Sequence, residues 1–271
     1  MGASGRHHFT LAERADRHRL YERSVQSTKE EVELITQIFE ERRGFKPRTL
    51  REDFCGTAHL ACEWVRTNPR HRAIGVDIDP DVLAWGQEHN LARLSPSQRK
   101  RIELLNDDVM KARPDGADIL VAFNFSYWVF KRREQLLAYF RAARRGLAEN
   151  GVFMLDIFGG SEAFEECKER TEYRGFTYVW EQASYEPISG DYLCHIHFLF
   201  PDGSKLKRAF TYNWRLWTLP EVRDLLAEAG FRRTAVYWEQ TGSDGEGNGE
   251  FTAAERGDSD PAWIAYVIAD S

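Results

Sequence analysis

Four short segments hold the residues best suited to chemistry. Glu52-Asp53-Phe54-Cys55-Gly56-Thr57-Ala58 puts two carboxylates directly ahead of a turn around Gly56. Asp77 follows Glu52 by 25 positions and closes the apolar run Ala73-Ile74-Gly75-Val76. An acidic residue at such a strand end can accept hydrogen bonds from both hydroxyls of a ribose. Asn106-Asp107-Asp108-Val109 offers carboxylates that could accept from an adenine amino group, and Asn124-Phe125-Ser126-Tyr127-Trp128 follows the next apolar run. A pyrophosphate wants backbone N–H groups and no nearby carboxylate. Glu52 and Asp53, at the mouth of the first turn, would repel it and attract an ammonium. The G-x-G-x-x-G spacing is also missing, which argues against a nicotinamide oxidoreductase.

The elements that must position these segments can be read from periodicity and punctuation. Ser27-Thr28-Lys29-Glu30 reads as a capping box ahead of a helix carrying Val32, Ile35, Ile38 and Phe39, which stops near Gly44. Strands are expected at 50–53, 73–77, 102–105, 118–123 and 152–157, and helices at 59–67, 80–93 and 132–148. Asp79-Pro80 supplies an N-cap and a first-turn proline, and Asn150-Gly151 a C-terminal stop. Short apolar strands alternating with helices mean a parallel sheet covered on both faces. After Ser161 the period changes to two, over 175–185, 191–200 and 205–217, with turns at Glu186–Gly190 and Pro201–Ser204. Thr218-x-x-Glu221 then caps a further helix, and strands 231–238 and 262–268 are joined by an acidic loop, so they should pair antiparallel.

Composition bounds the function. The 271 residues suit one large domain or a core with an elaboration. A net charge of −6 disfavours a globally basic nucleic-acid binder, and Lys131-Arg132-Arg133 and Arg144-Arg145 read as solvated helix faces. No apolar run approaches a membrane span, the polar segment Met1–Arg19 has no secretory h-region, and the four cysteines form no C-x-x-C pair. A reducing, cytoplasmic compartment is expected. Cys194, His195 and His197 share a strand, but Cys194 points away from the two histidines, so no metal site is expected.

In these segments the chain resembles the class I S-adenosylmethionine-dependent methyltransferases. Glu52–Ala58 looks like their first motif, Gly75-Val76-Asp77-Ile78-Asp79 the second and Asp107-Asp108-Val109 the third. Arg144–Gly151 with the strand after it is similar to the segment before their fifth strand, and the closing strand pair to their final hairpin. The resemblance covers about 48–160 and 218–268. It implies a Rossmann-like, seven-stranded, mostly parallel α/β sheet with an antiparallel last hairpin, binding S-adenosylmethionine and releasing S-adenosylhomocysteine. It assigns Glu52 to the methionine ammonium, Asp77 to the ribose and Asp108 to adenine, with Phe54, Cys55, Gly56, Thr57, Ile78, Val109 and Asn124 completing the cofactor site. The first motif has one glycine where the family often shows three. Phe54 and Ala58 stand at the other two places, and Phe54 is expected to force a different turn or a displaced ligand. Asn124-Phe125-Ser126-Tyr127 is similar to an N-P-P-Y signature but lacks both prolines.

The domain reading follows: an N-terminal helical segment, 1–47; an α/β core, 48–170 with 218–271; and an inserted three-stranded antiparallel subdomain, 171–217. An insert after strand five is similar to small-molecule N-methyltransferases, including those acting on amino sugars and glycine. Tyr21 precedes the first helix, where such enzymes often place an active-site aromatic. Alternation gives the insert one aromatic face, which includes Phe210, Tyr212 and Trp214, and one polar face. The aromatic face is expected to act as a lid, with Tyr21, Tyr127 and Trp128 completing it and His195 available as a base. The expected activity is direct displacement of the methyl group by a small-molecule nitrogen, oxygen or carbon. No membrane partner is expected, and self-association is left open. The rivals are a nucleic-acid or protein methyltransferase and a non-catalytic S-adenosylmethionine-binding protein.

Overall fold

The computed structural model describes residues 9–113, 116–242 and 247–271. Residues 1–8 of the polar N-terminal segment and residues 243–246 of the acidic loop fall outside them. Along the chain come helices α1 (Leu11–Arg14), α2 (Arg17–Ser24) and α3 (Thr28–Arg43). Strand and helix then alternate through β1 (Thr49–Asp53), α4 (His59–Thr67), β2 (Arg72–Asp77), α5 (Pro80–His89), α6 (Pro96–Arg99), β3 (Ile102–Asn106) and β4 (Ala117–Ala122). Helix α7 (Arg133–Gly146) and strand β5 (Leu147–Gly159) complete that run. Four consecutive strands follow: β6 (Cys167–Tyr173), β7 (Phe176–Tyr185), β8 (Asp191–Leu199) and β9 (Lys205–Arg215). Helix α8 (Leu219–Glu228) and strands β10 (Arg233–Thr241), β11 (Gly247–Ala254) and β12 (Trp263–Asp270) end the chain.

The chain divides into two compact units. The α/β unit is Ser27–Phe164 with Trp217–Ser271. Its sheet has the order β11-β10-β12-β5-β4-β1-β2-β3. β3, β2, β1, β4 and β5 are parallel, while β12, β10 and β11 pair antiparallel. The order reverses beside β1, so the carboxyl ends of β1 and β4 flank the crevice where open α/β sheets bind ligands. Helices α3 and α4 cover one face, burying Val32, Ile35, Phe39 and Trp64 against Leu50, Ile119, Val121, Met154 and Ile268. Helix α7 covers the other, with Tyr139 and Phe140 at 6.0 and 5.9 Å from Phe153.

The antiparallel unit joins the chain through Gln26 to Glu165–Leu216. Its sheet runs β6-β7-β8-β9. Leu20 and Tyr21 of α2 pack on Phe176, Ile196, Phe198, Phe210 and Tyr212, so the aromatic face of this sheet carries the N-terminal helices. Tyr173 Oη donates to the Ser24 carbonyl at 3.1 Å.

Several details differ from the sequence expectation, each for a local reason. The inserted sheet has four strands rather than three, because β6 is Cys-Lys-Glu-Arg-Thr-Glu-Tyr, exposed on both faces and without an apolar alternation to read. The large sheet has eight strands rather than seven; the added edge strand β11 is likewise polar and Gly-containing. The helix expected at 80–93 stops at His89, and Leu91–Arg93 form a short 3₁₀ turn. Ser27 begins α3, but its side chain makes no capping bond. Thr218 and Glu221 do form the expected reciprocal cap.

Candidate functional site

The first turn carries a backbone that few residues adopt. Phe54, Gly56 and Ala58 have φ of 59°, 51° and 54°. Phe54 holds a left-handed conformation that glycine adopts freely, at a cost of roughly 1–2 kcal/mol for a residue with a Cβ. Its ring packs 5.6 Å from Tyr139 and 6.0 Å from Phe130, which offsets that cost. The turn is pinned on three sides. Cys55 N–H donates to the Val76 carbonyl at 3.0 Å, and Gly56 N–H to Asp77 Oδ2 at 2.8 Å. The Thr57 carbonyl accepts from Asn90 Nδ2 at 3.0 Å and lies against Gly86 of α5, where any Cβ would sit 2.5 Å from that oxygen. Cys55 and Thr57 bury their side chains, so the turn offers backbone to a ligand.

Alternation along β1 separates the two adjacent carboxylates. Asp53 turns to the α7 face, where Arg51 Nε donates to it at 2.7 Å and Tyr139 Oη at 3.0 Å. Glu52 turns to the α4 face and accepts from Ala61 N–H at 3.1 Å. Burial pushes the Glu52 carboxyl well above the ordinary glutamate value, and the nearby Glu31, Asp77 and Asp53 carboxylates add to it. At the end of β2, Asp77 accepts from Gly56 N–H and, at 2.9 Å, from Asp79 N–H. Its pKa is raised, first by burial. Ile78, beside it, leaves 72% of its surface exposed, an apolar wall at a strand end. Asp108 accepts from Met110 N–H at 2.9 Å, Val109 is buried, and Asp107 is exposed.

Sequence reasoning passed over two further acids. Asp156 on β5 accepts from Asn124 and Phe125 N–H groups, and burial pushes its carboxyl up to about 7. Glu31 of α3 is also pushed up to about 7, first by burial and then by the Asp156 carboxylate. A lone acid inside the apolar run Phe153-Met154-Leu155-Asp156-Ile157 was a readable signal for the first. Glu31 gave none, since an acid in a helix's first turn is ordinary. Among the described residues, none of Glu31, Glu52, Asp77 and Asp156 pairs with a lysine, arginine or histidine.

The four residues expected to face an acceptor are placed unequally. Tyr127 is fully buried, and its hydroxyl donates to the Asp156 carbonyl at 3.0 Å. It anchors the turn after β4, in which Asn124 is the first left-handed residue. Tyr21 and Tyr212 belong to the antiparallel unit, where Tyr21 lies 4.9 Å from Phe210 and hydrogen-bonds Tyr212. His195 sits on the other face of that sheet, 4% exposed, with Nδ1 2.9 Å from Thr211 Oγ1. Burial, then Arg208, holds its pKa below the ordinary histidine value. Among the described residues, no three His, Cys, Asp or Glu side chains are placed to hold a metal ion, and no helix is long and apolar enough to cross a membrane.

Comparison with known proteins agrees with this geometry. Residues 55–153 match the family described as "Methyltransferase domain". No curated protein matches the sequence. Among solved structures, an S-adenosylmethionine-dependent methyltransferase from Clostridium acetobutylicum aligns over 93% of this chain and 96% of its own, at 14% identity and a TM-score of 0.67. An amino pentose methyltransferase of calicheamicin biosynthesis from Micromonospora echinaspora, solved with S-adenosylmethionine bound, aligns over 96% and 99%, at 15% identity and a TM-score of 0.64. A sugar N-methyltransferase from Streptoalloteichus aligns over 98% and 97%, at 18% identity and a TM-score of 0.61. The chain has the fold of these S-adenosylmethionine-dependent methyltransferases, and its residues 55–153 match a methyltransferase-domain family.

Proposed function

We propose that this methyltransferase passes the methyl group of S-adenosylmethionine to the nitrogen of a small-molecule amine. The carrying observation is a set of carboxyls with no basic partner around the strand ends: Glu52 and Asp156, buried on β1 and β5, Asp77, half-buried at the end of β2, and Glu31, half-buried in the first turn of α3. Their chemistry fits a cationic ligand and resists a phosphate. The N-methylating structural neighbours supply the choice of nitrogen.

When bound, S-adenosylmethionine supplies an electrophilic methyl on a sulfonium. The chain's part is to bind and align. Each Asp77 oxygen has a lone pair beyond the one used by Gly56 or Asp79, enough to accept from ribose hydroxyls. Asp108 would accept from the adenine amino group, with Ile78 and Val109 as apolar flanks and Asn124 at the neighbouring strand end. Glu52 would face the ammonium, past the backbone of Phe54, Cys55, Gly56 and Thr57. Alignment of the acceptor removes entropy from the barrier, and a base is needed only if the amine arrives protonated. Tyr21 and Tyr212, which share the aromatic face of the antiparallel sheet, are proposed for the acceptor side; His195 lies on the opposite face, hydrogen-bonded to Thr211. The proposal includes a cytoplasmic location, for which the four free cysteines are the support.

The test is transfer from labelled S-adenosylmethionine to fractions of a cell extract. Label in a low-molecular-weight amine supports the reading. Label in nucleic acid or protein alone, or cofactor binding with no transfer, would replace it with a rival.

A further inference from the structure

Asp156 holds a piece of strained backbone. It lies on β5 in register with Tyr266 of β12. Its Oδ2 accepts from Asn124 N–H at 2.7 Å and its Oδ1 from Phe125 N–H at 2.9 Å. Asn124 and Phe125 have φ of 57° and 55°. Two successive residues with a Cβ in that region persist only where the surroundings over-determine them. Here the carboxylate does so, because consecutive N–H groups in this conformation converge on an anion. The Phe125 ring adds a second hold, 4.7 Å from Phe158 and 5.5 Å from Trp128, and Tyr127 Oη a third on the Asp156 carbonyl.

We propose that Asp156 is the positioning residue of the acceptor side: by clasping the Asn124 and Phe125 N–H groups it fixes the turn after β4 in the one backbone shape that serves methyl transfer. The inference rests on the methyltransferase reading above. Asp156 acts through this turn, and its clasp needs the ionised form, since a protonated oxygen would turn a donor toward an N–H. The titratable groups facing it are Glu31 from α3, Tyr266 from β12 and Tyr127 from the turn itself. Burial places its titration at about 7. The turn should therefore loosen as pH falls through neutrality.

The experiment uses the full chain, as wild type, Asp156→Asn and Asp156→Asn with Asn124→Gly. Three quantities are read: S-adenosylhomocysteine affinity, amide exchange at Asn124 and Phe125, and methyl transfer to the low-molecular-weight amine fraction. In Asp156→Asn, exchange should accelerate, kcat/KM should fall at least about tenfold, and S-adenosylhomocysteine affinity should change by less than about threefold. The acid limb of the kcat/KM profile near neutrality should disappear. Glycine at 124 should restore part of the rate, because it occupies the left-handed region without a Cβ penalty. Unchanged kcat/KM and pH profile despite faster exchange, or unchanged exchange, would overturn the inference. Should Asp156→Asn fail to fold, the wild type decides: exchange at these two amides, corrected for its intrinsic pH dependence, must speed up from about pH 8 to about pH 6, and a flat response refutes the clasp. A wild type that binds no S-adenosylhomocysteine defeats the methyltransferase reading itself; an active wild type with an equally active Asp156→Asn defeats only this inference.

Discussion

The two ends of the eight-stranded sheet treat buried carboxylates in opposite ways. At the carboxyl ends of the parallel strands, Glu52, Asp77 and Asp156, joined by Glu31, have no basic partner, and burial raises all four. At the opposite end Asp270 closes β12, held by Arg42 at 2.5 Å, Arg43 at 2.8 Å and Arg233 at 3.4 Å. Burial pushes the Asp270 carboxyl upward, but Arg42 and Arg43 outweigh it and hold it below the ordinary aspartate value. Both ends hold acids in low-polarity surroundings. At the crevice end Asp53 is balanced from within the chain by Arg51, but Glu31, Glu52, Asp77 and Asp156 have no such basic partner. Uncompensated buried charge costs stability, so its concentration at the crevice marks the place where a cation is expected from outside.

The largest effect that would break this contrast is at Asp77. Asp77→Ala should lower S-adenosylhomocysteine affinity at least about tenfold, since charge-assisted hydrogen bonds contribute about 1.5–3 kcal/mol each. Calorimetry on a folded variant with unchanged affinity would remove Asp77 from the site. At the balanced end the effect should fall on stability instead. Arg42→Ala leaves Asp270 with Arg43 and Arg233, so the loss should be about 1–3 kcal/mol in denaturant unfolding, below the cost of an orphaned buried charge. Cofactor affinity should not move; a variant that lost affinity would show the two ends to be coupled.

Next in size is the response to pH. For Glu31 and Asp156 the folded pKa lies above the unfolded one, so the stability they contribute is present at low pH and lost as pH rises from about 4 to about 7. Asp270 works in the opposite sense: its contribution is present above the ordinary aspartate value and lost as pH falls through its lowered one. Melting temperature should therefore decline from about pH 5.5 to about pH 8, and saturating S-adenosylmethionine should flatten the decline. A melting temperature that rises over that range would contradict the assignment of an uncompensated end. The smallest effect concerns the first turn. Ala58→Gly should shift stability by less than about 1 kcal/mol, because relief of the left-handed Cβ opposes the added entropy of the unfolded chain.

Much of this was legible in the residues. Helix α4 matches its expected span of 59–67, because Pro69 ends it just beyond the last apolar position. The order of strand ends placed Glu52, Asp77 and Asp108 at one edge of a parallel sheet, since strand period and turn residues are local signals. What stayed hidden depends on tertiary placement. Phe54 looked incompatible with a glycine's turn, and only the aromatic contacts of its ring on Tyr139 and Phe130 show how the chain tolerates it there. Strands β6 and β11 carry polar residues on both faces and gave no alternation. That Glu31 and Asp156 lie near each other with no basic partner is a property of tertiary placement, which no spacing encodes.

The most direct test of the central claim is calorimetric titration with S-adenosylmethionine near neutral pH, repeated in buffers of different ionisation enthalpy. A cation entering the crevice lowers the pKa of carboxyls that burial has raised. The account predicts saturable binding with net proton release, and less release with S-adenosylhomocysteine, which lacks the sulfonium charge. Absence of binding by both, together with tight binding of NAD, would contradict it.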